Sequence, residues 1–210
     1  MKTAAKATYH HGDLKAALED AALELVAEKG PQSFTLAEAS RRAGVSVAAP
    51  YKHYADRESL LAALAVRGYH EGRRVISAAR LEIGAAARLE RFASEYVRFA
   101  AEERALFNVV HHAGLDRSKY PAIVAAGEKG YLELLELTRD VRETEAEAAS
   151  VLNSVMVIAQ GVAVFLVDSF RDPSSEQIAQ SMLEAKRLTR LVVTHQDWGS
   201  AAPFLVDTTS

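Results

Sequence analysis

Apolar residues recur along this chain at the three- and four-residue spacing of helices almost from end to end, with no convincing strand-like alternation. Leu14, Leu18, Ala21, Ala22, Leu25 and Val26 form a first stripe, and Gly30-Pro31 stops it. Thr35 followed three residues later by Glu38 predicts a capping box, in which each side chain satisfies a backbone donor of the first turn. That second helix is short, ending at Arg42 before Ala43-Gly44. Ser46 then predicts the cap of a third short helix reaching His53. Pro50, inside its first turn, forfeits at most one backbone bond, so the helix is expected to survive. Asp56 opens a fourth helix, with Glu58 in its first turn where the helix dipole favours a carboxylate. It runs to about Ala79 through Gly68 and Gly72. Each glycine costs about 1 kcal/mol against alanine in a helix interior, so bending is expected there.

The pattern continues with helices over roughly 85–103, 104–113 and 119–142. Thr144 with Glu147 predicts a second capping box, launching a long apolar helix to about Phe170 that Asp172-Pro173 breaks. Ser174 with Gln177 predicts a third box and a last helix ending near His195. The longest apolar run, Val151 to Val167, is interrupted by Asn153, Ser154 and Gln160. It falls short of the roughly 20 residues a bilayer demands, so it reads as a buried helix and not a membrane span. The fold class is all-α: three short helices, a long connector, and a bundle of about five helices, followed by an irregular tail over 196–210.

Composition narrows the chemistry. The 210 residues are 49% hydrophobic and 25% charged, with a net charge of −3, which does not announce a nucleic-acid binder. Residues 1–57 hold 8 Lys/Arg against 7 Asp/Glu while the remainder is acidic, a weak asymmetry of the sign DNA binding requires. The absence of cysteine excludes disulfides, thiolate metal sites and thiol catalysis. No apolar stretch follows Lys2 and Lys6, so the start does not read as a secretory signal, and a cytoplasmic location is expected. There is no Gly-rich phosphate loop, no nucleophile elbow and no metal-ligand spacing. The expectation is a protein that is not an enzyme and needs no cofactor.

The informative stretch is Thr35 to Arg57, TLAEASRRAGVSVAAPYKHYADR. Two helices joined by a tight glycine turn suit a helix-turn-helix, though helical hairpins are common in any all-α protein. Val47, Ala48 and Ala49 are small enough for close approach to base edges. Tyr51, Lys52 and His53 have polar tips within reach of phosphates, and Val45 and Tyr54 suit packing beneath. The runs YHHGDLKAALEDAALELVAEKG and FTLAEASRRAGVSVAAPYKHYADRESLLAAL resemble the N-terminal domain of the TetR family of transcription regulators over about residues 9–65. The subgroup with a YHHGDL opening and an APY recognition helix is the most similar. Its Trp-His-Gly signature in the C-terminal domain is replaced here by Ala159-Gln160-Gly161. The resemblance implies phosphate contacts from Thr35, Tyr51, His53 and Arg57. It implies base contacts from the face of Val47, Ala48, Ala49 and Lys52, beside the Ser46 cap. The domains it implies are 1–56 for DNA binding and 57–195 for ligand binding and dimerisation. Lys2, Lys6, His10 and His11 lie along DNA or form a plain tail.

The C-terminal helices carry more apolar surface than one core-facing stripe needs, which favours a homodimer built on the last two. Phe92, Tyr96, Phe107, His111, Tyr131, Met156 and Gln160 are aromatic or polar residues on otherwise apolar helices, the candidates for a small-molecule pocket or else ordinary core. His111-His112 is a poor metal site, since adjacent histidines point about 100° apart on a helix. The expected function is a repressor that binds a palindromic double-stranded operator as a dimer and is released by a small apolar effector. A regulator governed by a protein partner is the alternative.

Overall fold

The computed structural model describes residues 11–195. Eight α-helices follow one another: α1 His11–Lys29, α2 Leu36–Arg42, α3 Arg57–Ala79, α4 Ala85–Glu102, α5 Arg104–His112, α6 Pro121–Leu135, α7 Glu145–Ser169 and α8 Ser175–Thr194. No strand occurs among the described residues. All three capping boxes form as the spacing requires. Thr35, Ser174 and Thr144 accept from the backbone N–H three residues on, and Glu38, Gln177 and Glu147 reach back. Gly30 ends α1 at φ 82°, a left-handed value that side chains resist.

Two elements depart from the sequence reading. The third helix expected from Ser46 to His53 is not an α-helix: turns lead into a 3-10 turn at Pro50–Lys52. With Ser46 as cap, residue 50 is the one whose N–H would close the first α-helical bond, onto the Ser46 carbonyl. Proline has no N–H and its ring presses on that carbonyl. Ala49 N–H takes it instead at 2.9 Å, and His53 N–H reaches the Pro50 carbonyl at 2.8 Å, both in the tighter three-residue register. The helix expected over 119–142 is α6 followed by a separate 3-10 turn, Glu136–Thr138. The Thr138 hydroxyl donates to the Leu135 carbonyl at 2.7 Å, competing with helix propagation, and Asp140 turns the chain at φ 67°.

The chain divides into two compact units. One comprises the residues up to Arg67 together with Ala105–Tyr120; the other comprises Gly68–Arg104 and the residues from Pro121 onward. The division therefore runs through α3 at Arg67/Gly68 and returns α5 to the N-terminal unit, where the sequence reading placed one boundary at 56/57.

The first unit buries Leu18, Leu25 and Val26 of α1, Leu36 and Ala39 of α2, Leu60, Leu61 and Leu64 of α3, and Leu106, Phe107 and Val109 of α5. The second is organised on α4, which packs against both α7 and α8. Leu89, Phe92 and Val97 of α4, Leu152, Val155 and Leu166 of α7, and Ala185 and Val193 of α8 are buried there. Arginines satisfy the carbonyls that helix ends leave open in this unit. Arg142 donates to the Val193 and His195 carbonyls after α8 at 3.1 and 2.6 Å. Arg104 donates to those of Phe170 and Arg171 after α7 at 2.5 and 3.0 Å. Arg88 closes the turn after α6 on the Leu137 and Arg139 carbonyls at 3.1 and 2.9 Å.

Candidate nucleic-acid interface

The segment between α2 and α3 presents its side chains outward. Thr35, Ser46, Val47, Ala48, Tyr51, Lys52 and His53 are exposed, and Ala49 is half-buried. Beneath them Tyr54 is buried, its hydroxyl donating to Glu19 of α1 at 2.7 Å. Burial, then that carboxylate, push the phenol up out of its ordinary range, so it stays neutral. Pro50 is buried as well, so the 3-10 turn is pinned at both ends while residues 46–49 and 51–53 face solvent.

Charge at this surface is partly spent. Arg42 binds Glu28 bidentately and approaches Glu24 at 3.5 Å. Lys29 donates to Glu38 at 2.6 Å, and that bond, with the Thr35 backbone and hydroxyl, holds the Glu38 carboxyl down at about 2. Arg41 and Lys52 are exposed and make no ion pair among the described residues. Arg57, expected at a phosphate, is engaged internally. Its Nη1 donates to the Pro31 and Gln32 carbonyls at 3.4 and 2.5 Å, and its Nη2 to Gln32 Oε1 at 3.2 Å. Gln32 Nε2 in turn donates to the Ala113 carbonyl at the end of α5, beside Gly114. The chain Arg57–Gln32–Ala113 fixes the loop that leads into α2.

The seven candidate pocket residues are divided between the two units. Phe92, Tyr96, Tyr131, Met156 and Gln160 lie in the second unit. Phe107 and His111 lie in the first, where Phe107 is fully buried and His111 packs on its ring with centroids 4.6 Å apart. In the second unit the Tyr96 hydroxyl donates to Gln160 Oε1, and its ring tilts against Phe92 at 5.9 Å between centroids. Burial pushes the Tyr96 phenol well up, with Tyr69 adding to the effect. The Tyr131 hydroxyl donates to Asn153 Oδ1 at 3.3 Å, and burial raises its pKa.

Residues 18–64 match the model of the bacterial regulatory proteins of the tetR family, across α1, α2, the exposed turn and the start of α3. Over those residues the chain carries the N-terminal domain of that family, and solved structures similar to it over nearly the whole chain include regulators of the tetR family. Among solved structures, the chain is similar to the fatty acid degradation regulator FadR from Bacillus halodurans, with TM-score 0.69 at 15% identity over 89% of this chain and 97% of that one. It is similar to FadR from Bacillus subtilis in complex with stearoyl-CoA, with TM-score 0.67 at 17% identity over 85% and 97%. A bacterial regulatory protein of the tetR family from Rhodococcus RHA1 gives TM-score 0.62 at 22% identity over 86% and 95%. Identities this low establish the fold over nearly the whole chain. Comparison with curated proteins returns no match.

Three residues are not singled out by sequence. Gln32 holds Arg57, Arg41 makes no ion pair among the described residues, and Asn153 pairs with Tyr131. Only Asn153 leaves a visible signal, as a polar interruption of the apolar run 151–167. The arm residues Lys2, Lys6 and His10 and the tail 196–210 lie outside the described residues, and of His11 only the backbone, opening α1, is described.

Proposed function

We propose that this regulator is a cytoplasmic repressor that binds a palindromic DNA operator as a homodimer and releases it when a small, mostly apolar effector enters the unit of α4, α6, α7 and α8. The observation that carries the reading is an apolar face on α7 and α8 that no other described residue covers. Phe165 is 71% exposed and Leu183 is 67% exposed, with Val157 and Leu191 on the same sides of their helices. Gly161, between Val157 and Phe165, has open space above it, which lets another helix approach closely. A second copy seated there gives the two-fold axis a palindromic site requires. Small exposed residues Val47 and Ala48 suit base contact, with Tyr51, His53, Lys52 and Thr35 placed to hold phosphates. That a protein of this fold is found in complex with stearoyl-CoA, whose acyl chain is apolar, supports an effector with a long apolar part.

The test is selection of binding sites from random duplex DNA, with sedimentation of the free protein and of the complex. An inverted repeat should emerge, and the free protein should sediment at about twice its 22.8 kDa. No enrichment, or one copy per site, would overturn the reading. If a broad small-molecule screen yields no compound that releases the operator, control passes to a protein partner.

A further inference from the structure

Asn153, Met156 and Gln160 stand three and four residues apart on α7, so they share one face. That face meets Tyr131 of α6 and Tyr96 of α4 through the two hydrogen bonds described above. Asn153 is 5% exposed. Its Oδ1 accepts from Tyr131, and its Nδ2 has no hydrogen-bond partner among the described residues. An unpaired buried donor costs about 1–3 kcal/mol, and an apolar side chain of similar size would remove that cost.

We propose that Asn153 is the polar anchor of the effector site, and that the effector is an uncharged, largely apolar molecule bearing one carbonyl-type acceptor. This rests on the ligand-responsive reading above. Phe92, Tyr96, Tyr131, Met156 and Gln160 carry no charge, and Arg73 of α3 is closed bidentately on Glu133 of α6 at 3.0 and 2.5 Å. A carboxylate placed beside Asn153 would be buried without a free cation, which is costly. Helix α6, which covers this face, is lightly packed. Among its 15 residues only Ile123 and Leu134 are buried, and Gly127 puts bare backbone against the Tyr69 ring, where a Cβ would lie 3.6 Å away.

The test uses the full chain and four matched probes: methyl octyl ketone, its secondary alcohol, decane and decanoate. Binding is read by thermal shift and by the side-chain amide resonance of Asn153. The ketone should bind wild type about tenfold more tightly than decane and move that resonance. Asn153→Leu should melt no lower than wild type and lose the preference for ketone over decane. Asn153→Asp should turn the preference toward the alcohol. Equal binding of ketone and decane, no binding by any probe, a ketone preference kept in N153L, or an N153L that melts below wild type would each overturn the proposal. A compound without an acceptor that releases operator in a gel shift would refute the anchor while leaving the ligand-responsive reading intact.

Discussion

Replacing Arg57 by alanine removes three hydrogen bonds at once, two to the Pro31 and Gln32 carbonyls and one to the Gln32 side chain. One is long at 3.4 Å, and the others lie at an exposed edge, where solvent screens them. A net cost of about 1–2 kcal/mol follows for the set. In a chain of this size that is a fall in Tm of roughly 2–8 °C. Operator affinity should weaken because the loop entering α2 loses its tether, while the salt dependence of binding stays that of wild type. Gln32→Ala should reproduce part of the effect, and the double variant should lose less than the sum of the two. Arg57→Lys keeps the charge without the fork and should fall between wild type and R57A in Tm. Operator titration across a salt series, alongside thermal melting, separates this from a phosphate contact. An R57A protein with unchanged Tm and a log–log salt slope shallower by about one unit would refute the tether and establish a neutralised phosphate.

Other outcomes follow from the same geometry. Pro50→Ala supplies the missing N–H to the Ser46 carbonyl and should convert the 3-10 turn into α-helix over 46–53, read as amide protection and Cα shifts, with altered operator preference. Glu38 should titrate by carboxyl NMR near 2, below its ordinary 4.5. Since its folded pKa is depressed, its contribution to α2 is complete above about 4.5 and is lost as pH falls through about 2. Arg142→Ala removes the two hydrogen bonds that hold the Val193 and His195 carbonyls at the end of α8 and should cost about 1–2 kcal/mol in chemical denaturation. Phe165→Glu with Leu183→Glu should leave a folded monomer by sedimentation; a dimer in that double variant would place the interface elsewhere.

What the sequence disclosed was what neighbouring residues decide among themselves. Each capping box needs only a side chain and a backbone donor three residues apart, so Thr35, Thr144 and Ser174 were legible to the residue. Pro50 was legible as a perturbation but misjudged in weight, because the single bond it forfeits is the one that closes the first turn. The exposed face of Val47, Ala48, Tyr51 and Lys52 followed from packing Tyr54 inward, a local consequence. Pairings across long stretches were not legible. Nothing near Tyr96 specifies Gln160, 64 residues away, and nothing near Arg57 specifies Gln32 as its acceptor. The return of residues 105–120 to the N-terminal unit is likewise a tertiary outcome, which assigns Phe107 and His111 to a different unit from the other five pocket candidates.

Helix α7 shows why a helix can look fit for a membrane and yet be better explained otherwise. Its best 18-residue window has a mean hydropathy of 2.0, long and apolar enough to span a bilayer, and 44% of that window is buried. At about 100° per residue its side chains fall into three sectors. Val151, Leu152, Val155, Ala159, Ala163, Leu166 and Val167 point into the core and are buried. Val157, Gly161 and Phe165 lie roughly opposite and are exposed. Asn153, Met156 and Gln160 fall between, where Tyr131 and Tyr96 meet the amides. A lipid-facing helix has no use for a buried amide whose donor is unpaired, and a helix that served only a core would not carry Phe165 outward. One face for the core, one for a second copy and one for an effector accounts for both. It also makes the faces separable: Phe165→Glu should abolish dimerisation without changing the affinity for methyl octyl ketone, and Asn153→Leu should do the reverse. Loss of both properties in either variant would mean that the faces are not independent and that α7 acts only as core.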